Sequence, residues 1–216
     1  MSYPRHHTID HYLKKVRQHT EPYVAEVLGK EIVIYPNVMS PMYDRSSRIF
    51  IQMLPDQHGK SFLEMGSGTG IVSVFAALQG ARSVTAADIS KVAVENTREN
   101  FARHGILNAQ ALESDLFSDV NGTFDTVFFN APFHGNKPED LLELGTSDEG
   151  YAMLKRFMAG VPNFMNKDGL MHLGFSDTGD SGVIFAAALE SGLQLASTQT
   201  QENGDWTAIL YTFSRL

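Results

Sequence analysis

The stretch FLEMGSGTGIVSV, residues 62–74, narrows the possible folds more than any other. Gly66, Gly68 and Gly70 follow an apolar run that carries Glu64, and a second apolar run compatible with a helix starts directly behind them. Glycine permits a tight turn there and lets backbone pass close to a ligand with no Cβ in the way. A strand, a glycine loop and a helix in this order make a βα unit of an open sheet, and such sheets bind ligands at the carboxyl ends of their strands. Two common occupants lack their signature. A dinucleotide fingerprint needs G-x-G-x-x-G, whereas Ile71 follows Gly70 and the pattern is E-x-G-x-G-x-G; a phosphate-cradling loop needs Gly-Lys-Ser/Thr, which is absent.

The rest of the chain extends this unit. From Ser61 onward apolar strands alternate with helical patterns, which predicts βαβ units and a parallel sheet. Strands are expected near 61–65, 83–87, 109–113, 124–129 and 169–175, with helices near 70–79, 90–103, 147–158 and 180–191. LQLAST (193–198) and WTAILYTF (206–213) lie close enough in sequence to form an antiparallel pair. Upstream, Thr8 caps an expected helix carrying Ile9, Tyr12, Leu13 and Val16. Thr20, Glu21 and Pro22 start a second that stops at Gly29, EIVIY (31–35) reads as a strand, and Asp44 caps a helix running to Leu54. The chain divides into a short N-terminal helical extension, residues 1–30, and one α/β domain, residues 31–216, with no repeats or linkers.

Composition sets the class. The 216 residues are 43% hydrophobic and 19% charged, enough for a sizeable core, and no apolar run approaches the ~18 residues of a membrane span. MSYPRHHTIDHYLKK lacks the apolar middle of a signal peptide, so the cytoplasm is the default address. With zero cysteines, disulfides, thiolate chemistry and cysteine-ligated zinc are excluded. A net charge of −8 argues against a broad nucleic-acid surface. His7 and His11 stand at i, i+4, but no carboxylate pattern accompanies them, and a solvated helix face rather than a metal site is expected.

Two carboxylates follow the glycine loop at strand tips. Asp88 ends SVTAAD, where it can accept both hydrogen bonds of a ribose diol or cap the helix after it; Asp115, in ALESDLF, can accept from an adenine amino group or close a turn. With EMGSGTG, AAD and SDLF in this order, residues 30 to 216 resemble the class I S-adenosylmethionine-dependent methyltransferases. The resemblance implies a Rossmann-like, mostly parallel seven-stranded sheet ending in an antiparallel hairpin. It also implies S-adenosylmethionine across the strand tips, with its amino-acid portion near Glu64 and the glycine loop of Gly66, Gly68 and Gly70, its nucleoside near Asp88 and Asp115, and Asn130 beside it.

The fourth strand and its exit, FDTVFFNAPFHG, carry the chemistry. Asn130, Ala131, Pro132 and Phe133 resemble the Asn-Pro-Pro-Phe/Tyr motif of amino-methyltransferases, with Ala131 in place of the usual proline. A conjugated nitrogen offers its lone pair poorly until its hydrogens are gripped. Asn130 Oδ1 and the Ala131 carbonyl are acceptors for them, and Phe133 can hold a flat group by stacking. NAPFHG further resembles the ribosomal RNA guanine-N2 methyltransferases, and LGTSDEGYAMLKRFM with NKDGLMHLGFS the release-factor glutamine methyltransferases. His134, one residue past the motif, and Tyr35 and Tyr43, ahead of the glycine loop, are further substrate candidates. Trp206 and Tyr211 read as packing residues. The expectation is N-methylation of a small molecule or of a protein amide or amine. The alternatives are base methylation on nucleic acid, another use of the cofactor's electrophilicity such as cyclisation, and a non-catalytic binding domain. Oligomeric state is not legible.

Overall fold

A computed structural model describes Tyr3 and residues 7–216, the side chains of His7 and Thr8 excepted. The Thr8 cap and the His7 half of the histidine pair therefore lie outside the described residues. Helix α1 (His7–Val16) is followed by strands β1 (Tyr23–Val27) and β2 (Lys30–Ile34), helix α2 (Ser46–Met53) and then β3 (Ser61–Met65), α3 (Ile71–Leu78), β4 (Ser83–Asp88), α4 (Lys91–Arg103) and β5 (Ala109–Glu113). The remaining elements are β6 (Phe124–Asn130), α5 (Ala152–Gly160), β7 (Met165–Ser176), α6 (Ser181–Glu190), β8 (Leu193–Asn203) and β9 (Trp206–Arg215).

Seven strands form one sheet in the order β5-β4-β3-β6-β7-β9-β8. Its members from β5 to β7 are parallel, and β9 joins β7 and β8 antiparallel. Because β3 lies between β4 and β6, the order reverses beside β3, which is where an open α/β sheet forms its ligand crevice. Helices cover both faces. One core joins Leu63, Val127 and Phe129 to Leu154, Phe157 and Ile184, and the other joins Phe62, Ala86 and Phe128 to Ile49, Val72, Val94 and Ile34. The strand residues therefore alternate between two buried faces, as their near-continuous apolar runs require.

The second N-terminal helix expected between Thr20 and Gly29 is a strand. β1 pairs antiparallel with β2, from Tyr23 opposite Ile34 to Val27 opposite Lys30. Gly29 does not end a helix: Leu28 and Gly29 have φ of 50° and 75°, the two positive values of a two-residue hairpin turn whose twist matches its strands. YVAEV alternates in burial, Ala25 and Val27 turned inward, so period two rather than helical period governs it. Residue 30, the expected end of the extension, lies inside this hairpin.

Two further boundaries moved. α5 starts at Ala152 rather than near 147, with Asp148 accepting the N–H groups of Met153 and Leu154 at 2.9 and 2.8 Å. β8 runs to Asn203, well past 198, as the edge strand of the sheet; its QTQEN end is polar and largely exposed, so it shows no hydrophobic alternation. Among the described residues no helix is long and apolar enough to cross a membrane.

Candidate active site

The glycine loop leaves β3 and is fastened from three directions. Gly66 and Ser67 donate to the Ala87 carbonyl on β4 at 2.8 and 3.1 Å, which ties the loop to the neighbouring strand tip. Gly68 N–H donates to Asp88 Oδ2 at 2.9 Å. From below, buried side chains of α4 grip the loop: Thr97 donates to the Gly68 carbonyl at 3.2 Å and Asn100 Nδ2 to the Thr69 carbonyl at 2.9 Å. Asn96 and Asn100 also bind the backbone of β2 at Val33, so one helix positions both the loop and the hairpin. Sequence reading missed these three residues because their polar row looks like a solvated helix face.

The loop's glycines differ in what they need. All three have positive φ, 66°, 55° and 72°. A Cβ on Gly70 would lie 2.5 Å from Thr97 Cγ2 and one on Gly66 would lie 3.2 Å from the Phe129 ring, whereas one on Gly68 would meet nothing within 4 Å. Gly70 is thus a packing glycine, and Gly68 borders open space.

That space is a cavity lined by Glu64, Gly66, Gly68, Asp88, Asp115 and Asn130, six of the seven residues expected to bind cofactor; Gly70 lies behind it. Glu64 is fully enclosed on β3, and Oε2 accepts the Ser73 N–H of α3 at 2.8 Å. Burial pushes its pKa up to about 8 against that hydrogen bond, with Asp88 pushing the same way. Asp88 shapes the turn, its other oxygen accepting the Ser90 N–H at 2.8 Å, while Ser90 caps α4. Each Asp88 oxygen still has lone-pair capacity for an incoming hydroxyl. Burial raises the pKa of Asp88, opposed by the Gly68 and Ser90 N–H groups. Asp115 is exposed at the cavity edge and ion-paired with Arg156 at 2.7 Å.

A second cavity adjoins the first, and the NAPF segment separates them. Pro132 lines the first, Ala131 and Phe133 line the second, and Asn130 borders both. Phe133 and Trp206 stand with ring centroids 5.8 Å apart on its wall, so Trp206 is a cavity residue as well as a packing one. Helix α1 supplies Ile9, Tyr12 and Lys15 to the opposite wall, seated by Leu13 and Val16 against Leu142. Tyr43 and His134 also line this cavity. Tyr43 bonds His19 at 2.6 Å, and the His134 backbone is tied to Thr146 and Asp148. Tyr35 lines neither cavity, and its backbone N–H donates to Asn96 at 2.9 Å.

Asn130 is held by contacts remote in sequence. Its Nδ2 donates to Ser46 Oγ at 2.9 Å, and Ser46 in turn donates to Asp44 Oδ2 at 2.6 Å. Asn130 Oδ1 is buried between the two cavities with no hydrogen-bond partner among the described residues. A buried acceptor without a partner costs about 1–3 kcal/mol, so its place at the junction calls for a donor from outside the chain. Among the described residues no cluster of three or more His, Cys, Asp or Glu side chains is placed to hold a metal ion.

Comparison with known proteins agrees with this geometry. The family model of the methyltransferase small domain matches residues 31–178. A protein of Methanocaldococcus jannaschii named for N5-glutamine methyltransferase activity is 32% identical over 156 residues, covering 69% of this chain and 78% of its own. The ribosomal RNA small subunit methyltransferase C of Alcanivorax borkumensis is 32% identical over 154 residues, and there the match covers only 44% of the relative. Among solved structures, the Thermus thermophilus 16S ribosomal RNA N2 G1207 methyltransferase, in complex with AdoMet and guanosine, superposes with a TM-score of 0.65 at 19% identity, over 88% of this chain and 50% of that one. The relatives' names span protein and RNA acceptors, so the acidic net charge does not separate these classes. The residues lining the first cavity fit S-adenosylmethionine: Glu64, Asp88 and Asp115 are acceptors for a ligand rich in hydroxyl and amino groups, and Gly68 borders open space. The chain belongs to the methyltransferase small-domain family and is an S-adenosylmethionine-dependent methyltransferase.

Proposed function

We propose that the chain methylates a conjugated nitrogen, the amide or amine of a protein side chain or of a small molecule, presented in the cavity walled by Phe133 and Trp206. The observation that carries this reading is the unpartnered Oδ1 of Asn130 at the boundary between the two cavities. When bound, the cofactor supplies an electrophilic methyl group on its sulfonium. Asn130 Oδ1 accepts an N–H of the incoming NH₂ group, which holds the nitrogen at the boundary and draws it toward the tetrahedral geometry in which its lone pair is free. Phe133, aided by Trp206, orients the flat group, and Tyr12 and Lys15 of α1 line the same cavity, so positioning supplies much of the rate. A strong base is not required, because the proton becomes acidic only once nitrogen has gained its methyl group and positive charge.

In this reading Asp88 holds the ribose hydroxyls and Asp115, at the cavity edge, serves the adenine side. The test is incubation with radiolabelled S-adenosylmethionine and a cell extract separated into protein, RNA and metabolites. Label is expected in protein or metabolites, on nitrogen. Asn130→Ala should cut transfer to that fraction about a hundredfold while S-adenosylhomocysteine affinity changes less than about twofold, by analogy with removal of one oxyanion-hole donor. Full turnover in Asn130→Ala would refute nitrogen activation by this residue. Label in RNA alone would move the acceptor to a base amino group.

A further inference from the structure

The hydrogen bonds of Asp44 and Ser46 have a direction, and that direction decides which end of the Asn130 amide faces the reaction. Asp44 Oδ1 accepts the Ser46 N–H at 2.9 Å, and Oδ2 accepts the Ser46 hydroxyl at 2.6 Å. Burial raises the pKa of Asp44 while its two bonds from Ser46 favour the ionised form; in that form the carboxylate can only accept, and a serine hydroxyl has one hydrogen. With that hydrogen committed to Asp44, Ser46 Oγ has only lone pairs left for Asn130. The amide must then present its NH₂ to Ser46, at 2.9 Å, and its oxygen to the cavity junction. Amide orientation is ambiguous when judged from shape alone, because oxygen and NH₂ are nearly isosteric; here counting donors removes the ambiguity. Ser46 is fully buried, so water cannot readily replace either bond.

We propose that Asp44 and Ser46 are positioning residues for methyl transfer, a donor–acceptor relay that holds the Asn130 amide with its oxygen toward the acceptor nitrogen. This rests on the reading of Asn130 given above, and it adds a function to two residues that would otherwise only start α2. Asp44 does hold the first N–H of that helix, so a purely structural role predicts that any acceptor at residue 44 suffices. The relay predicts otherwise, because it depends on the second oxygen being unable to donate.

Asp44→Asn separates the two. Its carboxamide oxygen can keep the Ser46 N–H and preserve the helix start, while its NH₂ then faces Ser46 Oγ and donates to it. Ser46 turns its hydrogen toward Asn130, whose amide must rotate and present NH₂ to the substrate. The variant should fold and bind S-adenosylhomocysteine within about twofold of wild type, yet lose about a hundredfold in kcat on the fraction labelled by the wild-type chain. Ser46→Ala removes the anchor without reversing it and should lose less, about tenfold, because the amide then samples both orientations. Adding Asn130→Asp to Asp44→Asn should recover part of the loss, since a carboxylate presents an acceptor on both sides whichever way Ser46 points.

A readout independent of turnover is the exchange of the Asn130 side-chain NH₂ with solvent, followed by NMR on the cofactor-free full chain. In the wild-type chain these hydrogens are held by buried Ser46 and should exchange slowly; in Asp44→Asn they face the cavity and should exchange at least about tenfold faster. Wild-type kcat and unchanged exchange in Asp44→Asn would overturn the relay, even with Asn130→Ala inactive. Were Asn130→Ala fully active, the nitrogen-activation reading would fail, while the exchange experiment would still report whether the relay orients the amide. Should Asp44→Asn fail to fold, Ser46→Ala decides: wild-type kcat and exchange there refute the proposal.

Discussion

Two alanine substitutions two residues apart, Gly68→Ala and Gly70→Ala, should fail in opposite ways. Both residues have φ in the left-handed region, 55° and 72°, where an L side chain costs ~1–2 kcal/mol. For Gly68 that strain is the whole structural cost, because a Cβ there meets no atom within 4 Å. At Gly70 the methyl would lie 2.5 Å from Thr97 Cγ2 and 2.8 Å from Oγ1, and Thr97 is fully buried with its hydroxyl engaged by Ser67 and Gly68. Overpacking of this kind costs ~1–3 kcal/mol, and each displaced hydrogen bond about 1 kcal/mol more. Gly70→Ala should therefore lose roughly 3–6 kcal/mol and Gly68→Ala about 1–2. For a chain of this size that is a drop in Tm of about 6–24 °C against about 2–8 °C. Cofactor binding should rank the other way per unit of stability lost. Gly68 borders the first cavity, so its methyl fills cofactor space and should weaken S-adenosylhomocysteine at least about tenfold. Thermal unfolding and calorimetry on the same samples decide it. Wild-type affinity in Gly68→Ala would refute the assignment of this loop as the cofactor cradle, and an unchanged Tm in Gly70→Ala would refute the packing argument.

Other perturbations test the surrounding groups. Asp88→Ala removes the acceptor of two backbone N–H groups as well as the proposed ribose contact, so cofactor affinity should fall by ~1.5–3 kcal/mol and Tm should fall with it; loss of Tm with unchanged affinity would leave Asp88 a turn residue only. Glu64, its pKa raised by burial to about 8, holds a proton in the folded, cofactor-free chain at neutral pH, and this makes stability fall as pH rises from about 4.5 through 8. A cationic ligand favours the carboxylate, so calorimetry in buffers of different ionisation enthalpy should find about one proton released per S-adenosylmethionine bound at pH 7, and Glu64→Gln should abolish the release. His172 is buried on β7 with its pKa lowered to about 4, bonded to Thr212 through Nδ1 while Nε2 lacks a partner among the described residues. The unfolded chain takes up this proton first, so stability should drop as pH falls from about 6.5 toward 4, by up to about 3 kcal/mol; His172→Gln should flatten that limb of a denaturation profile.

Local sequence was enough for everything that depends on neighbours along the chain. The glycine loop, the strand tips bearing Asp88 and Asn130, and the order of βα units are each written in short-range pattern, because backbone conformation and period answer to adjacent residues. The Tyr23–Val27 strand was misread for the same reason: Pro22 and Gly29 punctuate a helix or a hairpin equally well, and pairing with Lys30–Ile34 made the choice. What no local pattern held was the set of long-range donors and acceptors. Asn96, Thr97 and Asn100 look solvated until α4 is laid under the glycine loop. Tyr35 reads as a substrate residue by its place ahead of the glycine loop, yet the fold leaves it out of both cavities, and Trp206 reads as packing until β9 brings it opposite Phe133. Ser46 and Asn130 lie 84 residues apart, and their meeting decides the orientation of one amide. A sequence states which groups can donate or accept; burial on a folded sheet removes water as the default partner, and only then does the identity of each partner carry energy and direction.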